Sequence, residues 1–181
     1  MTPLCDHSKR YTDGSSGTID QGNTIRYGVG GYFGYSNPLN FSLPAPLATS
    51  SMFEAEILAV NKAFEAAERY EKEHGSCFSR SVTVYIDNLE AKLKLESALA
   101  EPLGSECLEA LLVNNHRVRS LIHSIRERAA KYDSVELQWL RSHTGSKSAT
   151  ARGNEEADRL AKSGLQEAFL LIEIPGNVDS E

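Results

Sequence analysis

The sequence predicts a mixed α/β domain, a five-stranded mixed sheet with helices on both faces. Three observations carry this. The first third reads as short strands close in sequence, and such strands pair most simply as an antiparallel meander. From about residue 51 the apolar spacing changes to steps of three and four, the period of a helix. After that point β-branched stretches alternate with helical ones, and strands joined by helices run parallel.

The elements follow in order. "SKRYTDG" (8–14) is a short strand that Asp13 and Gly14 should stop, since Asp-Gly is a common turn pair. "TIRYGVGGYFGY" alternates and is rich in aromatics and Val, and "NPLNFSLPAP" offers a third strand between turn residues. "SSMFEAEILAVNKAFEAAERYEKEHG" is a helix with Phe53, Ile57, Val60, Phe64 and Ala67 on one face. Ser51 and Glu54 fit a capping box at its start, and Gly75 follows its last turn. "SVTVYID" has the β-branched run of a buried central strand. It leads into the helix "NLEAKLKLESALA", closed by Pro102. A further helical stretch covers Ser105 to Lys131, with Val118, Leu121, Ile122, Ile125 and Ala129 as its stripe. "SVELQWLRSH" is the fifth strand, "TGSKSATARG" a loop and "NEEADRLAKSGLQEAF" the last helix.

The 181 residues suit one domain over 8–166, with an N-terminal extension (1–7) and an acidic C-terminal tail (167–181). No apolar run reaches membrane-spanning length, and "MTPLCDHSKR" has no apolar signal core. Cys5, Cys77 and Cys107 form neither a disulfide framework nor a CxxC pair. An intracellular chain of the nucleus or cytoplasm is expected, monomeric, with a partner protein admitted. The net charge of −6 argues against a nucleic-acid coat protein but not against an enzyme whose acids gather at a metal.

Those acids fall in a pattern. Asp13 ends the first strand and Asp87 the fourth, and ligands of open sheets collect at the carboxyl ends of parallel strands. Glu56 lies in the first turns of the first helix, and Asp158 in about the first turn of the last. Carboxylates brought together repel one another unless a cation cancels their charge. Oxygen ligands without a His or Cys set suit Mg²⁺ or Mn²⁺, and two such ions can clamp a phosphoryl displacement.

"YTDGS", "AEILAV", "VYID" and "GNEEADRLA" occur in the order, and near the spacing, of type 1 ribonuclease H, and "WLRSHTG" stands where that family has a His-bearing loop. "NPLN" (37–40) is similar to a segment of eukaryotic members. The resemblance spans about residues 8–165 and implies the ribonuclease H-like fold. It implies cleavage of the RNA strand of RNA–DNA hybrids with two metal ions, leaving 3′-hydroxyl and 5′-phosphate ends. Asp13, Glu56, Asp87 and Asp158 match the catalytic carboxylates. His143 matches a histidine that assists proton transfer or product release, and Asn154 a substrate asparagine. Asn154 fits a helix cap equally. Glu155 and Glu156 fit helix-dipole partners, and Tyr85 and Trp139 core positions.

Three departures stand out. "SMF" replaces a polar stretch of the "TNN" type that reads the RNA minor groove. His143 and Asp158 lie 15 positions apart, further than is usual in the family. Segment 88–112 carries two lysines against five acids, a net −3, and no Trp, where relatives place a basic, Trp-rich protrusion. Basic character lies instead at Arg117, Arg119, Arg126, Arg128 and Lys131, and at Arg141, Lys147 and Arg152. Arg117, Arg119, Lys147 and Arg152 are the candidate substrate contacts. The helix arginines fit phosphate contact or stems laid along the core edge. The rival functions are a retroelement-derived ribonuclease H domain and a non-catalytic nucleic-acid binder.

Overall fold

The computed structural model describes residues 8–19, 24–75, 80–101, 115–141 and 146–171. Its strands are β1 (Lys9–Ile19), β2 (Thr24–Tyr32), β3 (Phe41–Pro44), β4 (Ser81–Ile86) and β5 (Ser134–Trp139). Its helices are α1 (Met52–His74), α2 (Leu89–Ala100), α3 (His116–Ala129) and α4 (Ala149–Leu170). The strands form one sheet in the order β3-β2-β1-β4-β5. β1, β2 and β3 pair antiparallel, while β4 runs parallel to both β1 and β5. This is the mixed sheet the sequence predicts. The expected Ser105–Lys131 helix is not continuous: α3 starts at His116, where the extended Asn115 caps it and accepts from the Arg117 and Val118 N–H groups, and residues 102–114 lie outside the described residues.

Side chains alternate across a strand, so β1 shows which helix covers which face. Gly14 faces Ala55 and Glu56 of α1, whereas Tyr11 and Gly17 face Gly153 and Phe169 of α4. The α1 face carries the main core. Val82, Val84 and Ile86 of β4 meet Ile57, Val60 and Phe64 of α1, Leu95 of α2, and Ile122 and Ile125 of α3. Each fully buried Ile or Leu there stabilises by roughly 1.5–3 kcal/mol. On the other face α4 lies directly on backbone. A Cβ at Gly28 or Gly30 would collide with main-chain atoms of Ala157, Ala161 and Leu165.

Two further boundaries differ from the sequence reading. β1 does not stop at Asp13–Gly14: it pairs with β2 as far as Ile19↔Thr24. What stops near Asp13 is the parallel ladder with β4, which ends at Thr12↔Ile86. Helix α4 starts at Ala149, capped by Ser148, whose hydroxyl accepts from the Ala151 N–H. Part of the expected 144–153 loop is therefore helix. Gly153, which reads as a loop residue, is a buried helical position where only a hydrogen fits above the Tyr11 ring. Tertiary packing overrides its poor helix propensity.

Candidate active site

Because the parallel ladder ends at Thr12 and Ile86, the next residues of β1 and β4 leave it side by side. Those residues are Asp13 and Asp87. The α1 N-terminus brings in Glu56 on the far side of Gly14, whose missing side chain lets the helix backbone approach. Carboxylate oxygens of Asp13, Glu56 and Asp87 lie within 4.8 Å of one another. Asp13 and Glu56 are 4% and 2% exposed, so water screens them little.

The electrostatics follow. Burial pushes the Asp13 carboxyl well above the usual carboxylate range, and Glu56, Asp87 and Asp158 add to the rise. Burial and Asp87 raise Glu56 likewise, while the Gly14 N–H and the Asp13 side chain oppose the shift. One buried oxygen of Glu56 has no hydrogen-bond partner. Orphaned oxygen, excess negative charge and an all-oxygen donor set together fit a hard divalent cation.

Asp158 is close enough to Asp13 to raise its carboxyl, but it is not one of the three within 4.8 Å. It sits in the third turn of α4, not the first, and its Oδ2 accepts from Lys162 Nζ at 2.7 Å. Asn154 lies one turn earlier on the same side of the helix. It is 6% exposed, and its amide donates to Asp87 Oδ2 at 3.4 Å. Asn154 is therefore not the cap of α4; Ser148 is. Glu155 and Glu156 fall inside the helix too, and Glu156 accepts from Arg159 at 2.9 Å rather than meeting the helix dipole. His143 lies outside the described residues.

Around the cluster, Tyr85 is core as expected, stacked on Tyr11 at 4.6 Å. Trp139 is not: it is 44% exposed, and its indole N–H donates to the Asp87 carbonyl at 2.9 Å. That bond supports the backbone at the end of β4. Lys147 and Arg152 are exposed at the start of α4. Arg119 is half-buried on α3. Arg117 has a specific partner, since its Nε donates to Glu54 Oε1 at 2.7 Å.

Glu54 is the residue that sequence reasoning placed imperfectly. Ser51 caps α1 as expected, its hydroxyl accepting from the Glu54 N–H. The Glu54 carboxylate reaches past it, accepts from the N–H and hydroxyl of Ser50, and binds Arg117 across the gap to α3. Burial alone would raise this carboxyl, but the Ser50 and Arg117 hydrogen bonds outweigh it and hold it below its ordinary value. Lys162, the partner of Asp158, was also missed. Its position four residues after Asp158 on a helix was the available signal.

The RNase H family model matches residues 7–166. None of the curated proteins matches the chain in sequence. Among solved structures, the PFV RNase H domain is similar at TM-score 0.62 and 23% identity, covering 89% of this chain and 95% of that one. RNase H1 from the halophilic archaeon Halobacterium salinarum is similar at TM-score 0.58 and 18% identity, with 88% and 98% covered. The Prototype Foamy Virus protease–reverse transcriptase is similar at TM-score 0.65 and 24% identity. That match covers 91% of this chain, which spans 21% of the viral protein. At these identities the likeness is one of fold.

Proposed function

The chain belongs to the RNase H family, and from that premise we propose that it is a metal-dependent endoribonuclease hydrolysing the RNA strand of RNA–DNA hybrids. The observation that carries the proposal is the convergence of the buried Asp13 and Glu56 with the half-buried Asp87 within 4.8 Å. An uncompensated cluster of this kind destabilises a domain, so a non-catalytic binder gains nothing by keeping it. Mg²⁺, with Mn²⁺ as a substitute, bound there in two sites would supply Lewis-acid activation of water and charge neutralisation at a phosphodiester.

The chain's own residues divide the remaining work. Asp13, Glu56 and Asp87 hold the positive charge, and the Asn154 amide fixes the Asp87 carboxylate. Asp158, held by Lys162, stands ready as a fourth acid. His143 assists proton transfer or product release, and His143→Ala slows turnover by about 10²-fold, the low end for general acid–base groups. Arg119, Lys147 and Arg152 contact phosphates. Arg117 does so with whatever donors the Glu54 bond leaves over. Cleavage leaves 3′-hydroxyl and 5′-phosphate ends. None of the described helices is long and apolar enough to cross a membrane.

The decisive experiment incubates purified protein with end-labelled RNA–DNA hybrid, double-stranded RNA and double-stranded DNA, each with Mg²⁺, Mn²⁺ or chelator. Cleavage of the RNA strand of the hybrid alone, abolished by chelator, is the expected outcome. Equal cleavage of double-stranded RNA, or cleavage that survives the chelator, refutes the proposal.

A further inference from the structure

Helix α4 has a second working flank. At 100° per residue, Arg152, Glu156 and Arg159 lie across the helix from Asn154 and Asp158. On that side a groove of about 580 Å³ runs between the first half of α4 and the loop 33–40. Tyr32, Tyr35, Arg152 and Arg159 line it, together with Glu155 and Glu156. Its size is within the roughly 300–1,000 Å³ range of small-ligand pockets.

Tyr35 is 93% exposed, so its ring contributes almost nothing to the fold. The backbone that carries it is nevertheless tightly tied. The Phe33 N–H donates to Asn40 Oδ1 at 2.8 Å, and the Asn40 amide donates to the Gly34 carbonyl at 2.8 Å. The Leu39 N–H donates to Asn37 Oδ1 at 3.0 Å. Phe33 and Leu39 anchor both sides of the turn in the core, each 4% exposed. Within the turn Ser36 takes φ 51°, a left-handed conformation that a non-glycine residue holds only where its surroundings impose it. The backbone that presents this planar ring is thus fixed beside a groove.

The charges of the groove decide what it selects. Arg152 and Arg159 offset Glu155 and Glu156, and Arg159 is already bound to Glu156 at 2.9 Å. With formal charge cancelled, the groove is no phosphate funnel. What it offers is the exposed Tyr35 face, a surface on which a nucleobase stacks. We propose that this groove binds unpaired nucleotides of a strand continuing beyond a hybrid held at the acid cluster, with a base stacked on Tyr35. The proposal rests on the hybrid-cleaving reading for the identity of that strand. The shared helix α4 links the two places, since one flank faces the acids and the other the groove.

The test uses the full chain with Ca²⁺ to block cleavage. Affinity is measured for a blunt hybrid and for the same hybrid with single-stranded RNA extensions at either end, one carrying 2-aminopurine. The extension should tighten binding, and Tyr35→Ala should lose about tenfold on the extended hybrid while leaving the blunt one unchanged. Tyr35→Phe should behave as wild type, because the ring and not the hydroxyl does the stacking. The gain from the extension should persist from 50 to 200 mM salt, as an electroneutral stacking site requires and a phosphate site forbids. Equal loss on blunt and extended hybrids, no loss on either, or a gain that vanishes with salt overturns the proposal. Capture of a protein by the groove without Tyr35-dependent nucleotide binding overturns it too. Quenching of a 2-aminopurine single strand separates this idea from the enzymatic one. Tyr35-dependent quenching by a chain that cleaves no hybrid leaves the groove standing and removes the activity. Cleavage without such quenching does the reverse.

Discussion

Arg117→Ala should weaken the fold measurably even though Arg117 sits near the surface. Its Nε donates at 2.7 Å to a Glu54 side chain that is 1% exposed, while its own side chain is 41% exposed. Removing one partner of a fully buried pair costs about 3–5 kcal/mol, because the other charge is stranded. Here water reaches Arg117, and Ser50 still gives Glu54 two hydrogen bonds, so screening lowers the expected loss to about 2 kcal/mol. In a domain of this length that lowers Tm by roughly 4–8 °C. The pH dependence has a definite sign. Glu54 is held below its ordinary pKa in the folded protein, so its contribution is complete at neutral pH. It is lost as pH falls through the usual carboxylate range toward the folded value, and the gap between variant and wild type should close with it. Urea denaturation of wild type, Arg117→Ala, Glu54→Gln and the double variant, in chelator from pH 7 down to 3, yields the coupling energy directly. A coupling below about 0.5 kcal/mol at pH 7, within the range of ordinary surface changes, would refute the reasoning. So would a defect that is the same at both ends of the pH range.

Further outcomes follow from the site and from α4. Asp87→Asn should abolish hybrid cleavage, and activity within about tenfold of wild type, roughly 1.4 kcal/mol in barrier, would remove Asp87 from the metal site. The metal-free protein should lose stability as pH rises, opposite in sign to the Glu54 effect. Asp13 and Glu56 have raised folded pKa values, so their stabilisation is full below the ordinary carboxylate range and lost as pH climbs through the folded values. Thermal melts in chelator from pH 5 to 9 measure this, and adding Mg²⁺ at the alkaline end should raise Tm. Gly30→Ala should destabilise by about 1–3 kcal/mol or more, since its Cβ meets the backbone of Ala157 and Ala161 rather than a side chain that can turn aside. A urea midpoint equal to wild type would show that α4 sits further from the sheet.

The sheet was legible because β-branched strands joined by helices leave few ways to pair, and β4 next to β1 brings Asp13 and Asp87 together. The start of α4 was not. "TGSKSATARG" has the Gly and Ser content of a loop, yet Ser148 caps a helix that runs through Gly153, because packing against Tyr11 leaves room there only for a hydrogen. The end of β1 failed for a similar reason, as Gly14 serves the close approach of α1 and not a turn. Glu54 showed its local role in the spacing from Ser51, but nothing local points to Arg117, 63 positions away. Contacts between distant segments such as this one leave no periodic trace in a single sequence.

The contact of α4 with the glycines of β2 also bears on the order in which the protein comes into being. Asp13, Glu56 and Asp87 emerge from the ribosome before any part of α4, and the 71 residues from Asp87 to Asp158 take roughly 4–14 s at about 5–20 residues per second. During that interval the nascent chain already carries the three acids that make up the cation cluster, while the stripe of Gly28 and Gly30 has no cover. Helix α4 then arrives as a closing part whose fit is set by main chain on main chain. An ion taken up early would relieve the repulsion among the acids before Asp158 adds its own charge. Scarcity of divalent cations during synthesis should therefore show first as slow closure of the C-terminal helix.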